Sequence, residues 1–341
     1  MTVQFRRRSV TLGGGALTLA VALAVVSAFH GTRKSGTDSE PLKYSAKAST
    51  PKVLTANTPS FKPGEDVHGM AKIAFVRNDA VYLYDARTKD SKRIGAGYAP
   101  DISPTGDSVA FTVNKDESAG KTTIKLFRFE SNSAAEFQSL AKLNVRNPHW
   151  SHDGTKLAFQ IIDRTGRVGI LDVSTGVWHD VTQGLVFSDH DGVPSALFFS
   201  SWSPDDQSII CQDLYSIFEI ALNGDVLNRI PIDSVIPVNE ISSATRFQFS
   251  KDKKLLLFNG MWDPDKTAIY LFNFSDHKLK RLTPKSMDGS EPLWLPSQSE
   301  ILFSRGDDEQ GDGSDLCVMS LGSDKVTVIL KDASSGSYST R

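Results

Sequence analysis

Four polar side chains with different chemistries occupy the same position in a recurring sequence phrase: Asp101, His149, Ser201 and Gln248. Each stands immediately before the apolar or aromatic residue that ends a short strand-like segment, and Leu293 holds the fifth such position. Side chains alternate along a strand, so these five face away from the side on which the aromatic residues pack. A carboxylate, an imidazole, a hydroxyl and an amide that converge would hydrogen-bond a peptide or a small ligand. A solvated channel without a ligand remains the alternative interpretation.

A polar stretch at residues 188–192 places His190 between Asp189 and Asp191. An imidazole flanked by two carboxylates suits proton transfer. Long connections in compact domains are either functional or disordered. Because three such residues in a polar loop are usually just solvated, the solvated loop is the favoured interpretation.

The densest acidic cluster spans residues 307–315 and contains Asp308, Asp312 and Asp315. Oxygen-rich loops suit Ca²⁺, and the spacing from Asp308 partly follows the start of an EF-hand loop. The twelfth position of such a loop would be Met319, which cannot supply the bidentate carboxylate. Calcium is therefore the one cofactor that the sequence indicates at all, and a solvated acidic loop is favoured over a calcium site.

The elements that position these residues follow from the phrase itself, which recurs from residue 98 onward. Each copy has a short strand that ends in an aromatic or apolar residue, a Ser-Pro-Asp-Gly-like turn and an apolar triplet. The triplets recur every 45 to 52 residues and end at Phe111, Phe159, Cys211, Phe258 and Phe303. A second hairpin follows most copies, which gives four strands per unit. A four-stranded repeat of this length is typical of a propeller blade.

We therefore predict an all-β fold: a six-bladed β-propeller of four-stranded antiparallel blades over residues 69–331. A hydrophobic N-terminal helix and a disordered linker precede it, and a disordered tail at residues 332–341 follows it. The ring must close, because an open edge strand invites aggregation. The favoured closure takes the innermost strand of the first blade from residues 59–64, a degenerate copy of the phrase. In the alternative, residues 325–330 complete the sixth blade.

The phrase resembles the repeat of TolB-type (WD40-like) propellers, in which Pro-x-Trp-Ser-Pro-Asp-Gly precedes an apolar triplet ending in Phe. Residues 148–154 read Pro-His-Trp-Ser-His-Asp-Gly, and residues 201–206 read Ser-Trp-Ser-Pro-Asp-Asp. The resemblance covers about three quarters of the chain and implies the fold, but not the function, because many sites share one scaffold. TolB carries an α/β domain before its propeller, for which residues 31–68 are too few and too polar. Related peptidases need a hydrolase domain, and the chain has no Gly-x-Ser-x-Gly motif.

Residues 1–30 have the layout of an export signal. Three arginines at residues 6–8 precede an uncharged apolar run at residues 12–29, and the positive-inside rule sends the rest of the chain across the membrane. Cleavage after Ala28, retention as a single membrane anchor and twin-arginine export all remain open. Residues 31–68 are polar and read as a flexible linker. We expect a periplasmic or other extracytoplasmic location, with membrane contact only through an uncleaved anchor.

The charge balance excludes one class of partner. With 38 basic and 40 acidic side chains and a net charge of −2, the chain lacks the basic surface that nucleic-acid binding requires. Cys211 ends an apolar run and reads as a core residue, and a disulfide with Cys317 is possible only if the fold brings the two together. The favoured function is a monomeric, non-enzymatic module that binds an envelope protein or peptide. The alternative is a lyase or hydrolase that acts on a saccharide through Asp101 and His149.

Overall fold

A computed structural model describes residues 68–163, 166–187, 195–236, 241–263, 266–306, 313–323 and 325–341. Within them, the first half of the strands are β1 (Lys72–Arg77), β2 (Ala80–Asp85), β3 (Asp90–Ala96), β4 (Tyr98–Ile102), β5 (Ser108–Asp116), β6 (Lys121–Arg128), β7 (Ser133–Glu136), β8 (Val145–Trp150), β9 (Lys156–Ile161), β10 (Arg167–Asp172), β11 (Trp178–Asp180) and β12 (Phe198–Trp202). The second half are β13 (Ser208–Gln212), β14 (Ser216–Ala221), β15 (Val226–Pro231), β16 (Gln248–Phe249), β17 (Leu255–Asp263), β18 (Lys266–Asn273), β19 (Lys278–Arg281), β20 (Asp288–Trp294), β21 (Glu300–Gly306), β22 (Ser314–Ser320), β23 (Val326–Leu330) and β24 (Ser334–Ser339). Two 3-10 turns, Gln138–Leu140 and Ile232–Ser234, are the helical elements of the described chain.

These strands form six sheets of four antiparallel strands, which confirms the predicted six-bladed propeller. Blade 1 has the order β24-β1-β2-β3, and blades 2 to 6 begin with the inner strands β4, β8, β12, β16 and β20. Inner strands of neighbouring blades contact each other at four of the six junctions: β24 with β4, β4 with β8, β12 with β16, and β20 with β24. The helix and linker predicted for residues 1–68 fall almost entirely on residues 1–67, which lie outside the described residues. Among the described residues no helix has the length and hydropathy to span a bilayer.

The serine of the phrase closes the turn between the first two strands of a blade. The Ser151 hydroxyl donates to Asp153 Oδ1 at 2.6 Å and accepts the Lys156 N–H at 2.9 Å. Ser203 and Ser250 make the same pair of bonds in blades 4 and 5. These serines are buried, so their hydroxyls satisfy backbone groups that would otherwise be costly to bury.

The tryptophan of the phrase joins one blade to the next. The indole N–H donates to a backbone carbonyl of the preceding blade: Trp150 to Asp101 at 3.1 Å, Trp202 to His149 at 3.0 Å and Trp294 to Gln248 at 3.3 Å. Six buried apolar clusters fill the spaces between neighbouring blades, one cluster for each pair. Both cysteines are free and lie in these clusters, which confirms the core position predicted for Cys211.

The ring closes through the C-terminal strand, and this corrects two predictions. Strand β24 (Ser334–Ser339) pairs with β1 as the innermost strand of blade 1, so a disordered tail at residues 332–341 is wrong. Because β1 has β2 on one edge and β24 on the other, no edge remains for residues 59–64, and the favoured closure is also wrong. The alternative assignment is confirmed in part, since β23 is the outer strand of blade 6.

Candidate binding site at the channel mouth

A β-bulge in four of the inner strands shapes the central channel. At Ala99, Asn147, Glu291 and Ser335 the backbone is left-handed, with φ between 47° and 53°. The register of each of these strands shifts at the same place. A bulge changes the direction in which the neighbouring side chains point. A left-handed backbone conformation is strained for alanine, glutamate and serine, and such strain is common at binding sites.

The bulges surround a small cavity at the axis. Its volume is about 30 Å³, and it is lined by Ala99, Pro100, Asp101, His149, Arg246, Glu291, Leu293, Ser335, Gly336 and Ser337. Blades 1, 2, 3, 5 and 6 all contribute to this lining. Residues that are far apart in sequence therefore meet at one point only because the ring is closed.

The imidazole of His149 is held between an acid and an aromatic ring. Its Nδ1 lies 3.7 Å from Asp101 Oδ2, which is longer than a hydrogen bond, and that oxygen accepts the Trp150 N–H at 2.8 Å. On its other side the imidazole stacks on Phe199, with ring centroids 5.1 Å apart. Burial, and to a smaller extent the Arg246 guanidinium, lowers the pKa of His149. Asp101 and Glu291 raise this pKa, but their effect is smaller than the lowering. The imidazole is therefore neutral at neutral pH.

An anchored carboxylate and a guanidinium without a hydrogen-bond partner among the described residues line the same cavity. Glu291 accepts hydrogen bonds from the Ser304 hydroxyl at 3.2 Å and the Ser335 hydroxyl at 3.0 Å. The Arg246 side chain makes no hydrogen bond or ion pair with any described residue, although its backbone N–H donates to Asn259. Arg246 thus keeps its donors for another molecule.

The structure brings together only some of the residues expected at the channel. Asp101, His149 and Leu293 line the cavity. The Ser201 hydroxyl instead donates to the Phe247 carbonyl at 2.8 Å and joins blades 4 and 5. Gln248 does not line the cavity, and its carbonyl accepts the Trp294 indole N–H.

Sequence reasoning missed Arg246, Glu291 and Ser335. Arg246 and Glu291 stand two residues before Gln248 and Leu293. Alternation along an ideal strand does not identify them, because Glu291 lies in a bulge and Arg246 lies before the first residue of β16. Ser335 was missed because its strand was taken for a disordered tail.

Most of the remaining candidates fall on residues that the structure does not describe. Asp189, His190, Asp191, Asp308 and Asp312 lie outside the described residues. Where the chain is described, no group of three or more His, Cys, Asp or Glu side chains is placed to hold a metal ion.

The third acidic candidate, Asp315, already has protein partners. It accepts the Arg305 guanidinium at 2.5 Å and the Asp332 N–H at 3.2 Å. Both bonds give its carboxylate a structural role in blade 6. Calcium binding at the acidic cluster stays a prediction.

Comparison with known proteins identifies the fold and not a family. No family model and no curated protein matches the chain. TolB from Acinetobacter baumannii is 16% identical with a TM-score of 0.58, over 79% of this chain and 66% of that one. A putative TolB from Agrobacterium tumefaciens is 16% identical with a TM-score of 0.52, over 77% and 89%. Kuenenia stuttgartiensis hydrazine synthase is 11% identical with a TM-score of 0.53, over 78% and 46%.

The fold is therefore that of a TolB-like propeller. The chain spans about two thirds of the length of the Acinetobacter protein. Identities this low leave the function to be argued from the site.

Proposed function

We propose that the protein is an exported binding module that holds a peptide segment of an envelope protein across the mouth of its channel. The observation that carries this proposal is the contrast between the chemistry of the site and its size. Arg246, Glu291, Asp101 and His149 converge on a cavity of about 30 Å³. That volume suits about one water molecule, whereas pockets that enclose a small ligand measure about 300–1,000 Å³.

A cavity of this size disfavours the saccharide enzyme. A sugar ring has no room between the inner strands, and both acids of the site already accept hydrogen bonds from the protein. A ligand must instead lie over the opening and reach in with one polar group. An extended peptide meets this requirement, because successive side chains are offered singly along its length.

Two further features support the proposal. Two of the similar structures are TolB proteins. The basic residues 6–8 and the apolar run at residues 12–29 have the layout of an export segment. We propose an extracytoplasmic location on this basis, with the run either cleaved or kept as an anchor.

The test compares partners captured from envelope extracts by the wild-type protein and by two arginine variants. Arg246→Met removes the free guanidinium of the site, and Arg128→Met is the matched control on the exposed end of β6. A partner retained by the wild type and by Arg128→Met, but weakened at least about tenfold by Arg246→Met, supports the proposal, because charge-assisted hydrogen bonds contribute about 1.5–3 kcal/mol. Equal capture by all three proteins, or turnover of a saccharide without any partner, contradicts it.

A further inference from the structure

Three polar side chains at the channel mouth have hydrogen-bonding capacity that the described residues do not use. The Arg246 guanidinium has no partner among those residues. Asp101 accepts one hydrogen bond, from the Trp150 N–H to Oδ2, although a carboxylate has about four acceptor sites. The His149 imidazole approaches that oxygen only to 3.7 Å. Arg246, Asp101 and His149 all line one cavity of about 30 Å³, so one small group can reach them together.

This cavity is accessible from solvent. The side chains of Asp101 and His149 are 19% and 18% exposed, and Arg246 is also partly exposed. A ligand that lies over the mouth can therefore reach these residues from outside. Because the cavity is small, only the tip of a side chain enters it, and the remainder of the ligand stays above the opening.

The charges around the cavity disfavour an ionised tip. A carboxylate would pair with Arg246, but Asp101 and Glu291 line the same cavity and repel it. An ammonium group would pair with the two acids, and Arg246 would repel it. A guanidinium only donates hydrogen bonds and a carboxylate only accepts them. The complementary tip is therefore uncharged and carries both an acceptor and a donor.

A primary carboxamide matches this requirement better than the other neutral groups of a peptide. Its oxygen accepts hydrogen bonds, its nitrogen carries two N–H donors, and both atoms stand at the same end of the side chain. A serine or threonine hydroxyl has only one O–H to donate. A trans backbone amide directs its C=O and its N–H in opposite directions, so it cannot present both to one small cavity.

We infer that the bound peptide inserts an asparagine or glutamine side chain into the cavity, where the carbonyl oxygen accepts from Arg246 and the NH₂ group donates to Asp101. The inference rests on the peptide-binding function proposed above and adds the side chain that the peptide must carry. His149 adds no charge to this site, because burial lowers the pKa of its imidazole. A tip that leaves partly buried donors or acceptors unpaired binds more weakly, which makes the site selective.

The first test measures peptide binding to the full chain by NMR titration of the Arg246 Nε–H and the His149 ring resonances. The peptides are acetyl-Gly-X-Gly-N-methylamides at equal ionic strength, with X as asparagine, aspartate, glutamine, glutamate or serine. The N-methylamide cap leaves the side chain as the only primary carboxamide. We expect at least one amide peptide to bind at least about tenfold more tightly than its acid counterpart and the serine peptide. Equal binding within both amide–acid pairs, tighter binding of the acids, or binding of no peptide overturns the inference.

Asp101→Asn tests the acceptor of the NH₂ group. The substitution removes the charge and keeps an oxygen for the Trp150 N–H, so we expect the fold to be retained and the amide and acid peptides to bind about equally. Asp90→Asn, at an exposed position of the outer strand β3, is the matched control and should keep the wild-type preference. An unchanged preference in Asp101→Asn, or an equal loss in both variants, overturns the inference. The comparison of peptides on the wild type decides the inference without either variant.

Acetamide distinguishes a peptide side chain from a small free amide. Weaker binding of acetamide than of the amide peptide supports a peptide ligand, whereas equal affinities overturn the peptide part of the inference. If Arg246→Met weakens partner capture but the wild type does not prefer the amide peptides, the proposed function stands and the carboxamide inference fails. If Arg246→Met leaves partner capture unchanged while the wild type binds the amide peptides selectively, the proposed function fails and the carboxamide site stands.

Discussion

Replacing Trp202 by phenylalanine removes one hydrogen bond between blades 3 and 4 while keeping most of the ring in place. The indole N–H donates to the His149 carbonyl at 3.0 Å, and the Trp202 side chain is 5% exposed. A buried acceptor that loses its donor costs about 1–3 kcal/mol. We therefore expect Trp202→Phe to lower the free energy of unfolding by about that amount.

Trp178→Phe is the matched control. Trp178 also donates its indole N–H to a carbonyl, that of Ser139 at 3.2 Å, but this bond lies at the exposed outer edge of blade 3. Water replaces the lost donor there, so we expect a change below about 0.5 kcal/mol.

Urea unfolding measures both variants, with the midpoint expected to fall for Trp202→Phe at an unchanged slope. In a domain of this size each kcal/mol lowers Tm by about 2–4 °C. Equal effects of the two substitutions would refute the role of the phrase tryptophans as bonds between blades.

Three further predictions concern pH, packing and thiol reactivity. The hydrogen bond to Asp206 raises the pKa of His152. The interaction therefore stabilises the fold fully below the pKa of His152 in the unfolded protein, and this stabilisation is lost as the pH rises through the pKa in the folded protein. Urea unfolding should show that Asp206→Asn lowers the free energy of unfolding more at pH 5.5 than at pH 8.5. Gly169→Ala would place a Cβ 2.3 Å from the buried Phe159 ring and should lower the free energy of unfolding by about 1–3 kcal/mol through overpacking. Gly322→Ala is the control, since the position has open space around it, and thermal unfolding should show almost no change. Burial raises the pKa of both cysteine thiols. A thiol reagent at pH 8 should therefore modify the unfolded protein and not the native protein. Rapid labelling of the native protein would contradict the burial of Cys211 and Cys317.

The local parts of this fold are readable from the sequence because each blade repeats one physical solution. A buried serine closes the turn, a tryptophan bonds to the preceding blade, and an apolar triplet fills the core. These interactions reach only a few residues or one blade along the chain. Five copies in register therefore predict the ring, its blade count and the placement of Asp101 and His149.

Ring closure could not be read in the same way. Strand β24 has the sequence Ser-Ser-Gly-Ser-Tyr-Ser, with Tyr338 as its single large side chain. Tyr338 stands where other copies have tryptophan, and its hydroxyl donates to the Trp294 carbonyl at 2.7 Å. The apolar triplet that should follow this strand is supplied by β1, more than 250 residues earlier. A pattern divided between the two ends of the ring has no local periodicity to detect.

The composition of the site depends on that closure. Ser335 holds the Glu291 carboxylate, and the Ser337 hydroxyl accepts the Ile102 N–H at 3.0 Å. The candidate site was therefore only half predictable: the acid and the imidazole follow from alternation, while their counterparts on blades 1, 5 and 6 require the bulged and closed ring.

Amide hydrogen exchange of Ser334–Ser339 tests the closed ring most directly, because the channel site exists only if this strand pairs with β1. The account predicts that the paired amides of β24 exchange as slowly as those of β1, at a rate set by opening of the whole propeller. Exchange of these amides within seconds, while the other inner strands remain protected, would contradict the closure and the site built on it.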